Sequence, residues 1–219
     1  MTNFLLAVLS LPGVFAGEAD CMEALLDAGV GRLHLRKPEA TEQELEELCR
    51  RLAPRRAHRL VLHGPRSREL ALRYGVPNVH GAVAYRKPDG RPSQSGAGGP
   101  AERSGGGPVV EGDGLVMSTS VHGWEEFAKL PAGLAYAFIS PLFDSISKQG
   151  YRADERLLEQ PGGELPCLPV GLGGISAETI GFMLERGWKG AAVLGWIWEE
   201  PKLAVKRLEE LQKIIANGK

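Results

Sequence analysis

Cysteine is scarce in this sequence, with three residues in a chain of 219. Cys21, Cys49 and Cys167 lack the close spacing of zinc ligands, and each lies in an apolar or helical context. We therefore expect free thiols that are buried or half-buried. Free thiols persist in a reducing compartment, so we expect a cytoplasmic protein.

The sequence also lacks an excess of charge of one sign and a long hydrophobic run. Its net charge is -1, from 26 basic and 27 acidic residues. This balance argues against a nucleic-acid partner and against a strongly membrane-bound protein. Residues 4–11 are apolar, but they have no basic start and are too short to span a bilayer. A local anionic ligand stays open, because it needs a site and not a basic protein.

Short apolar segments that end in glycine, proline or polar residues alternate with segments of helical spacing. The predicted strands are residues 4–10, 31–36, 60–63, 78–84, 115–119, 135–140, 167–172 and 191–194. The predicted helices are residues 18–28, 41–53, 66–74, 124–130, 153–159, 176–187 and the amphipathic segment from 201 onward. This alternation predicts an α/β fold, a (β/α)8 TIM barrel that forms one domain over residues 1–219.

One stretch interrupts the alternation after the fourth predicted strand. Residues 88–113 contain eight glycines, three further prolines after Pro88 and several serines. Such a segment is too poor in apolar residues to form a core, so we expect a flexible loop insertion. Two roles stay open for it, a passive insertion or a lid over the site.

Glycine follows the last two predicted strands. Gly173 and Gly174 come directly after strand seven, and Gly195 follows Leu194 at the end of strand eight. Turns of this kind present backbone N–H groups to an anion, and barrels of this class hold phosphate after strands seven and eight. We therefore expect these four residues to bind a phosphate group.

Active sites of such barrels lie at the C-terminal ends of the strands, where several polar residues fall. His122, after strand five, is the best acid–base candidate, because its ordinary pKa lies near neutrality. His34 and Arg36 share one side of strand two and can converge on a ligand, with Lys37 beside them. A hydrogen-bonded core histidine is the alternative for His34. Ordinary solvated charges are the alternative for the two cations.

Strands three, four and five offer further polar ends. His63 and Ser120 are candidate substrate contacts, although a structural or solvent-facing role is the more common one for His63 and for His80. Asp144 and Asp154 stand alone, so no pair of carboxylates could share a divalent cation at two strand ends. The sequence accordingly predicts no metal site.

Five motifs together carry a family likeness. They are HLR after strand two, STSVHGWEE after strand five, ISPLFDSISKQGY after strand six, VGLGGIS after strand seven and AAVLGWIW after strand eight. In this combination the chain resembles the thiamine phosphate synthase/TenI superfamily, over nearly its whole length apart from the Gly-rich loop. The resemblance implies a barrel that binds a thiazole phosphate or thiamine phosphate. The phosphate would lie on the N–H groups of Gly174 and Gly195, helped by Ser145, Ser147 and Lys148.

The superfamily has two main branches, and the resemblance is closer to one of them. The synthase joins a pyrimidine diphosphate to thiazole phosphate with magnesium held by two aspartates. Here Gly64 stands in the first aspartate position, VHGAVAY offers no acid for the second, and His34 replaces a glutamine. The TenI branch aromatises a thiazole tautomer without a metal, and the matching proton carrier is His122.

The sequence thus predicts a TenI-like thiazole tautomerase without a cofactor, in which His122 and His34 are catalytic. Two alternatives stay open, the magnesium-dependent synthase and a non-catalytic regulator that binds thiamine phosphates. The expected partner is a small phosphorylated thiazole or thiamine phosphate, and a homo-oligomer stays open.

Overall fold

A computed structural model of the chain describes residues 4–81, 114–144 and 155–218. The strands are β1 (Leu5–Leu9), β2 (Arg32–Leu35), β3 (Leu60–His63), β4 (Asn78–His80), β5 (Val116–Val121), β6 (Tyr136–Ile139), β7 (Leu168–Leu172) and β8 (Gly190–Val193). The helices are α1 (Glu18–Asp27), α2 (Glu42–Arg56), α3 (Ser67–Tyr74), α4 (Trp124–Ala128), α5 (Ile180–Glu185), α6 (Gly195–Trp198) and α7 (Ala204–Asn217). Short 3-10 turns occupy Ala57–Arg59, Glu155–Leu157 and Pro201–Leu203.

The eight strands form a closed barrel in chain order, and every neighbouring pair is parallel. β1 pairs with β8, which closes the ring without a free edge. The predicted (β/α)8 barrel is therefore confirmed. The predicted Gly-rich loop at 88–113 lies outside the described residues.

Alternation along each strand divides the apolar residues into two cores. The larger core packs the outer faces of the strands against the surrounding helices. The smaller core fills part of the barrel interior and comes from β1, β6, β7 and β8; its members are Ala7, Leu9, Tyr136, Phe138, Val170 and Ala192. Strands β2 to β5 instead place polar side chains at their C-terminal ends, and these carry the site described below.

Three helices differ from the sequence prediction, and the one predicted at 153–159 is only the 3-10 turn Glu155–Leu157 within the described residues. Thr41 and Glu44 form the expected capping box, but α2 continues past Pro54 to Arg56. The predicted helix at 176–187 is wrong in its first turn, because α5 begins only at Ile180. There the Thr179 hydroxyl donates to the Gly174 carbonyl at 2.8 Å and accepts from the Ser176 N–H at 2.9 Å. These local hydrogen bonds favour a turn over a helix.

The short helix α6 was not predicted and it seals the seam between β8 and β1. It starts at Gly195, one residue (Leu194) after the end of β8. The indole N–H of Trp198 donates to the Leu9 carbonyl at the end of β1, at 2.6 Å. This hydrogen bond joins the C-terminal ends of β8 and β1, the two strands that close the barrel. No helix in the described part of the chain is long and apolar enough to cross a membrane.

A buried ion pair links the loop after β2 to α1. The Lys37 ammonium lies 2.5 Å from Glu18 Oε1 and donates to the Gly13 carbonyl at 2.7 Å, and both charged side chains have no exposed surface. Burial raises the pKa of the Glu18 carboxyl and lowers that of the Lys37 ammonium, while the contact between them opposes both shifts. Each charge therefore depends on the other for compensation.

We predict that Lys37→Met destabilises the fold by roughly 3–5 kcal/mol, because it leaves a carboxylate buried without its cation. Urea unfolding followed by circular dichroism measures the loss. The double variant Glu18→Leu/Lys37→Met should regain most of it, since no buried charge remains. Arg50→Met, which removes an exposed ion pair with Glu47, is the control and should cost less than about 1 kcal/mol. A Lys37→Met protein as stable as the control would refute this account.

Candidate functional site

Three consecutive strands, β2 to β4, bring three histidines to the C-terminal end of the barrel interior. In the register of the barrel, His63 on β3 lies beside His80 on β4, and His80 lies beside Ser118 on β5. His34 on β2 lies two residues deeper, because it pairs with Val61. Side chains at paired positions of parallel strands project to the same side, so the three imidazoles meet.

His34 is the innermost member and both of its ring nitrogens have partners. Its side chain is fully buried. Nδ1 lies 2.8 Å from His63 Nε2, and Nε2 lies 2.8 Å from the Tyr136 hydroxyl. Because an imidazole nitrogen can donate or accept, each of these bonds can run in either direction. The sequence left two roles open for His34, a catalytic residue or a hydrogen-bonded core histidine. The structure supports the core role, and it also places His34 in contact with His63 of the candidate site.

His80 is held by two serines of the neighbouring strand. Its Nδ1 lies 2.9 Å from Ser118 Oγ, and its Nε2 lies 2.9 Å from Ser120 Oγ. The ring stacks on His63 with centroids 4.3 Å apart and an angle of 22° between the planes. The ring of Phe138 also stacks on His80, with ring centroids 5.0 Å apart. The sequence predicts Ser120 as a substrate contact. In the structure its hydroxyl contacts His80 in the candidate site.

The environment keeps all three imidazoles neutral. Burial is the main cause that lowers the pKa of His34 and His63 well below the ordinary value, and it lowers the pKa of His80 to about 3. Positive charge on Arg36 adds to the effect at His63 and His80, as that on Arg32 does at His34. Each ring can therefore both donate and accept a proton at neutral pH.

Among the described residues, His34, His63 and His80 are close enough together to be considered as metal ligands. Their nearest ring nitrogens all lie within 4.8 Å of one another. A transition metal lies about 2.0–2.1 Å from each nitrogen, close to the plane of each ring. The stacked rings of His63 and His80 do not meet this condition, because their nearly parallel planes do not converge on a shared point. In these rotamers the cluster fits a hydrogen-bonded network better than a metal centre.

The two predicted cations after β2 have different surroundings. The Lys37 ammonium forms an ion pair with Glu18 and donates a hydrogen bond to the Gly13 carbonyl, contacts that a sequence pattern could not reveal. The backbone of Arg36 is fixed by Ser10, whose hydroxyl accepts from the Arg36 N–H and donates to its carbonyl, both at 3.0 Å. After burial, the positive charge of Arg36 helps to lower the pKa of His63 and His80, whereas the Lys37 charge is paired with Glu18.

His122 lies at the exposed rim of the same end of the barrel. It follows β5 directly, two residues beyond Ser120. Its backbone N–H donates to Glu126 of α4 at 2.9 Å, and its Nδ1 lies 3.3 Å from the Ser140 carbonyl after β6. The side chain is exposed and so is accessible to a ligand.

The predicted phosphate turns follow neighbouring strands, since Leu172 of β7 pairs with Ala192 of β8. Gly173 and Gly174 both have positive φ, at 98° and 63°. A Cβ on Gly174 would lie 2.6 Å from the Asp144 carbonyl oxygen, so the loop after β6 rests directly on this turn and requires glycine there. Ser145, Ser147 and Lys148 lie outside the described residues. Phosphate binding itself stays a prediction.

Tyr136 of the network was missed by sequence reasoning, whereas Ser118 lies among the polar residues at the C-terminal end of the fifth predicted strand. Tyr136 opens β6 as one of several apolar strand residues, and Ser118 is one of three hydroxyl residues in β5. The signal in the sequence is the alternation along β5, because Ser118, Ser120 and His122 occupy every second position. The pairing of Ser118 with Tyr136 depends on the register of β5 with β6, which cannot be read from the sequence.

Comparison with known proteins identifies the fold. No protein-family model and no curated protein matches the chain. Solved structures do match. A thiamine phosphate pyrophosphorylase from Bacteroides thetaiotaomicron is 23% identical, with a TM-score of 0.66 over 96% of this chain and 97% of that one. A thiamine phosphate pyrophosphorylase from Pyrococcus furiosus is 17% identical, with a TM-score of 0.69 over 99% and 98%.

More distant barrels also match. The tryptophan synthase alpha subunit of Legionella pneumophila is 12% identical, with a TM-score of 0.57 over 98% of this chain and 93% of that one. At these identities the shared property is the fold.

We predict that the buried imidazoles make the fold sensitive to acid. A histidine that is neutral when folded but protonated when unfolded below about pH 6.5 favours the unfolded state as pH falls. Stability should therefore be complete above about pH 6.5. Below it, stability should decline toward about pH 3 by up to about 1.4 kcal/mol per pH unit for each such histidine. Urea unfolding at a series of pH values measures the slope.

The variant His80→Gln should reduce this slope, because it removes one of the three groups whose protons are bound only in the unfolded chain. His58→Gln, which replaces an exposed imidazole before β3, is the matched control. Equal slopes for wild type and His80→Gln would contradict the prediction.

Proposed function

We propose that this protein is a TenI-like thiazole tautomerase, which moves a proton on a phosphorylated thiazole held at the C-terminal end of the barrel. The observation that carries the proposal is the group of three neutral imidazoles beneath the exposed His122. A proton shift needs a base and an acid near neutrality and a fixed substrate. The motif likeness to the superfamily and the barrel shared with thiamine phosphate pyrophosphorylases support the substrate class.

In this proposal the two glycine turns hold the phosphate as an anchor. Backbone N–H groups suit this task because they supply positive dipoles without a mobile side chain. The thiazole then extends toward β5, where His122 Nε2 removes the proton from the ring carbon. The freed electron pair enters the ring, and the far end of the double bond that shifts takes up the proton that His122 now carries. His34 contributes from the interior network, and Arg36 from the loop after β2.

The synthase is the second candidate, favoured by the names of the two similar solved structures. Its magnesium needs oxygen ligands, preferably carboxylates. The residues after β3 and β4 are Gly64 and Gly81, and the possible ligand group of the described residues consists of imidazoles alone. These residues do not fit magnesium, and we derive no step through it.

A barrel that binds thiamine phosphates without turnover is the third candidate. It would use the same phosphate anchor, and it would leave His122 without a chemical task. Binding and turnover are therefore separate measurements for this protein.

We predict that His122→Ala lowers kcat for aromatisation of the thiazole carboxylate phosphate tautomer by roughly 10²–10⁴-fold, the usual contribution of a positioned acid–base group. KM should change little, because the phosphate anchor is intact. The absorbance change on aromatisation follows the reaction, and His58→Ala is the matched control. An unchanged rate in His122→Ala would contradict the proposal. Magnesium-dependent formation of thiamine phosphate would instead establish the synthase, and calorimetric binding without turnover of either substrate set would establish the binder.

A further inference from the structure

One ring nitrogen of the histidine cluster has no hydrogen-bond partner among the described residues. His63 is half-buried, and its Nε2 lies 2.8 Å from His34 Nδ1. Its other nitrogen, Nδ1, makes no hydrogen bond to these residues and is not one of their fully buried unpaired atoms. This nitrogen is therefore accessible at the mouth of the barrel. Whether it donates or accepts a hydrogen bond decides which ligand atoms it can contact.

The Tyr136 hydroxyl sets the direction of the bonds that lead to His63, although each bond taken alone could run either way. Tyr136 is buried, and within the described part of the chain its hydroxyl bonds His34 Nε2 alone, at 2.8 Å. Burial raises the pKa of Tyr136 to about 12, so the phenol keeps its hydrogen at neutral pH. A buried O–H that donates to nothing is costly, so the phenol donates and His34 Nε2 accepts.

This direction passes on to His63, because a neutral imidazole carries one hydrogen on one of its two nitrogens. Since His34 accepts at Nε2, its hydrogen is on Nδ1, and it donates this hydrogen to His63 Nε2. The hydrogen of His63 is then on Nδ1, the accessible nitrogen. Burial is the main cause that lowers the pKa of both rings well below the ordinary value, so neither ring gains a second hydrogen near neutral pH.

A separate set of hydrogen bonds fixes His80. The Ser118 hydroxyl donates to the Val79 carbonyl at 3.3 Å, so its oxygen accepts from His80 Nδ1 at 2.9 Å. His80 Nε2 then accepts from the Ser120 hydroxyl, also at 2.9 Å. His80 meets His63 through ring stacking, which does not decide the nitrogen that carries the hydrogen of His63.

We propose that His63 is a further catalytic residue, whose neutral Nδ1–H donates a hydrogen bond to an acceptor atom of the ligand, a ring nitrogen or a carboxylate oxygen. Tyr136 and His34 are positioning residues that hold His63 in this tautomer. The inference rests on the proposed function, because it assigns a task to His63 in the same site.

His63 and His122 have complementary tasks in this proposal. His122 Nδ1 lies 3.3 Å from the Ser140 carbonyl, which can only accept, so a neutral His122 has its hydrogen on Nδ1 and a free lone pair on Nε2. As Nε2 takes the proton from the ring carbon, negative charge spreads over the electronegative atoms of the heterocycle. A fixed N–H at one of these atoms stabilises the charge as it develops, and His63 itself neither gains nor loses a proton.

Nitrogen NMR of the ligand-free protein, labelled at histidine, tests the assignment directly. The shifts of the ring nitrogens show which of them carries the hydrogen. At neutral pH we expect the hydrogen on Nδ1 in both His34 and His63. A hydrogen on Nε2 of His63 would overturn the proposal, whatever the substrate is.

The variant Tyr136→Phe tests the positioning role, because it removes one oxygen and keeps the ring. Either nitrogen of His34 can then carry the hydrogen, so we expect the signals of His34 and His63 to shift together toward those of a tautomer mixture. The signals of His80 should not change. Tyr74→Phe, which removes a hydroxyl outside the barrel, is the matched control and should leave all three rings unchanged. Unchanged signals of His34 and His63 in Tyr136→Phe would refute the positioning role. The wild-type spectrum decides the direction of the bonds even if this variant does not fold.

Two substitutions of His63 test the donor in turnover. His63→Leu removes the N–H and should lower kcat for the thiazole tautomer by roughly 10²–10³-fold, the usual loss for one such donor. His63→Asn keeps an N–H near the position of Nδ1 and should be at least about tenfold faster than His63→Leu. His58→Leu, which replaces an exposed histidine, is the control. Full kcat in His63→Leu, or equal losses in both variants, would overturn the proposal.

Failure of the proposed function gives a different result from failure of this inference. Absence of turnover in the wild-type protein would remove the tautomerase and with it the catalytic task of His63. Turnover that depends on His122 but is indifferent to His63→Leu would leave the tautomerase in place and remove the inference alone.

Discussion

Exclusion of charge from a polar barrel interior is the constraint on which the rest of the site depends. His34, His80, Tyr136 and Ser118 are buried there, with His63 half-buried beside them, and an isolated ion in this space would lose much of its hydration. They are tolerated because the ring nitrogens of His34 and His80 and the Tyr136 hydroxyl each bond a neighbouring side chain of the site. The network is thus both a structural necessity and a set of neutral groups that can exchange protons.

The barrel interior is asymmetric, and this asymmetry positions the chemistry. Strands β6 to β1 contribute an apolar half that includes Phe138, Val170 and Leu9, while β2 to β5 contribute the imidazoles and hydroxyls. Tyr136 belongs to both halves, since its ring packs with Phe138 and its hydroxyl bonds His34. A planar heterocycle above the mouth would therefore face apolar surface on one side and exchangeable protons on the other. In the proposed function, the glycine turns after β7 and β8, which are neighbouring strands, would hold the phosphate of that heterocycle.

Much of the fold could be predicted from the sequence because buried parallel strands are short apolar runs with abrupt ends. The histidines at strand ends could be recognised for the same reason. The network could not, because its contacts depend on register: His80 meets Ser118 only because β4 and β5 align at those positions. The true surroundings of Lys37 were equally hidden, since its partner Glu18 precedes it by a whole helix and strand. At residues 176–179 two hydroxyl side chains stabilised a turn where periodicity favoured a helix.

The neutrality of the interior histidines can be measured directly by NMR titration of their ring signals. The account predicts that His34, His63 and His80 show no protonation between about pH 8 and about pH 5 while the protein stays folded, although an isolated imidazole titrates near pH 6.5. A midpoint near pH 6.5 for any of the three would contradict it, because that ring would then carry a charge in the space that the account holds free of charge.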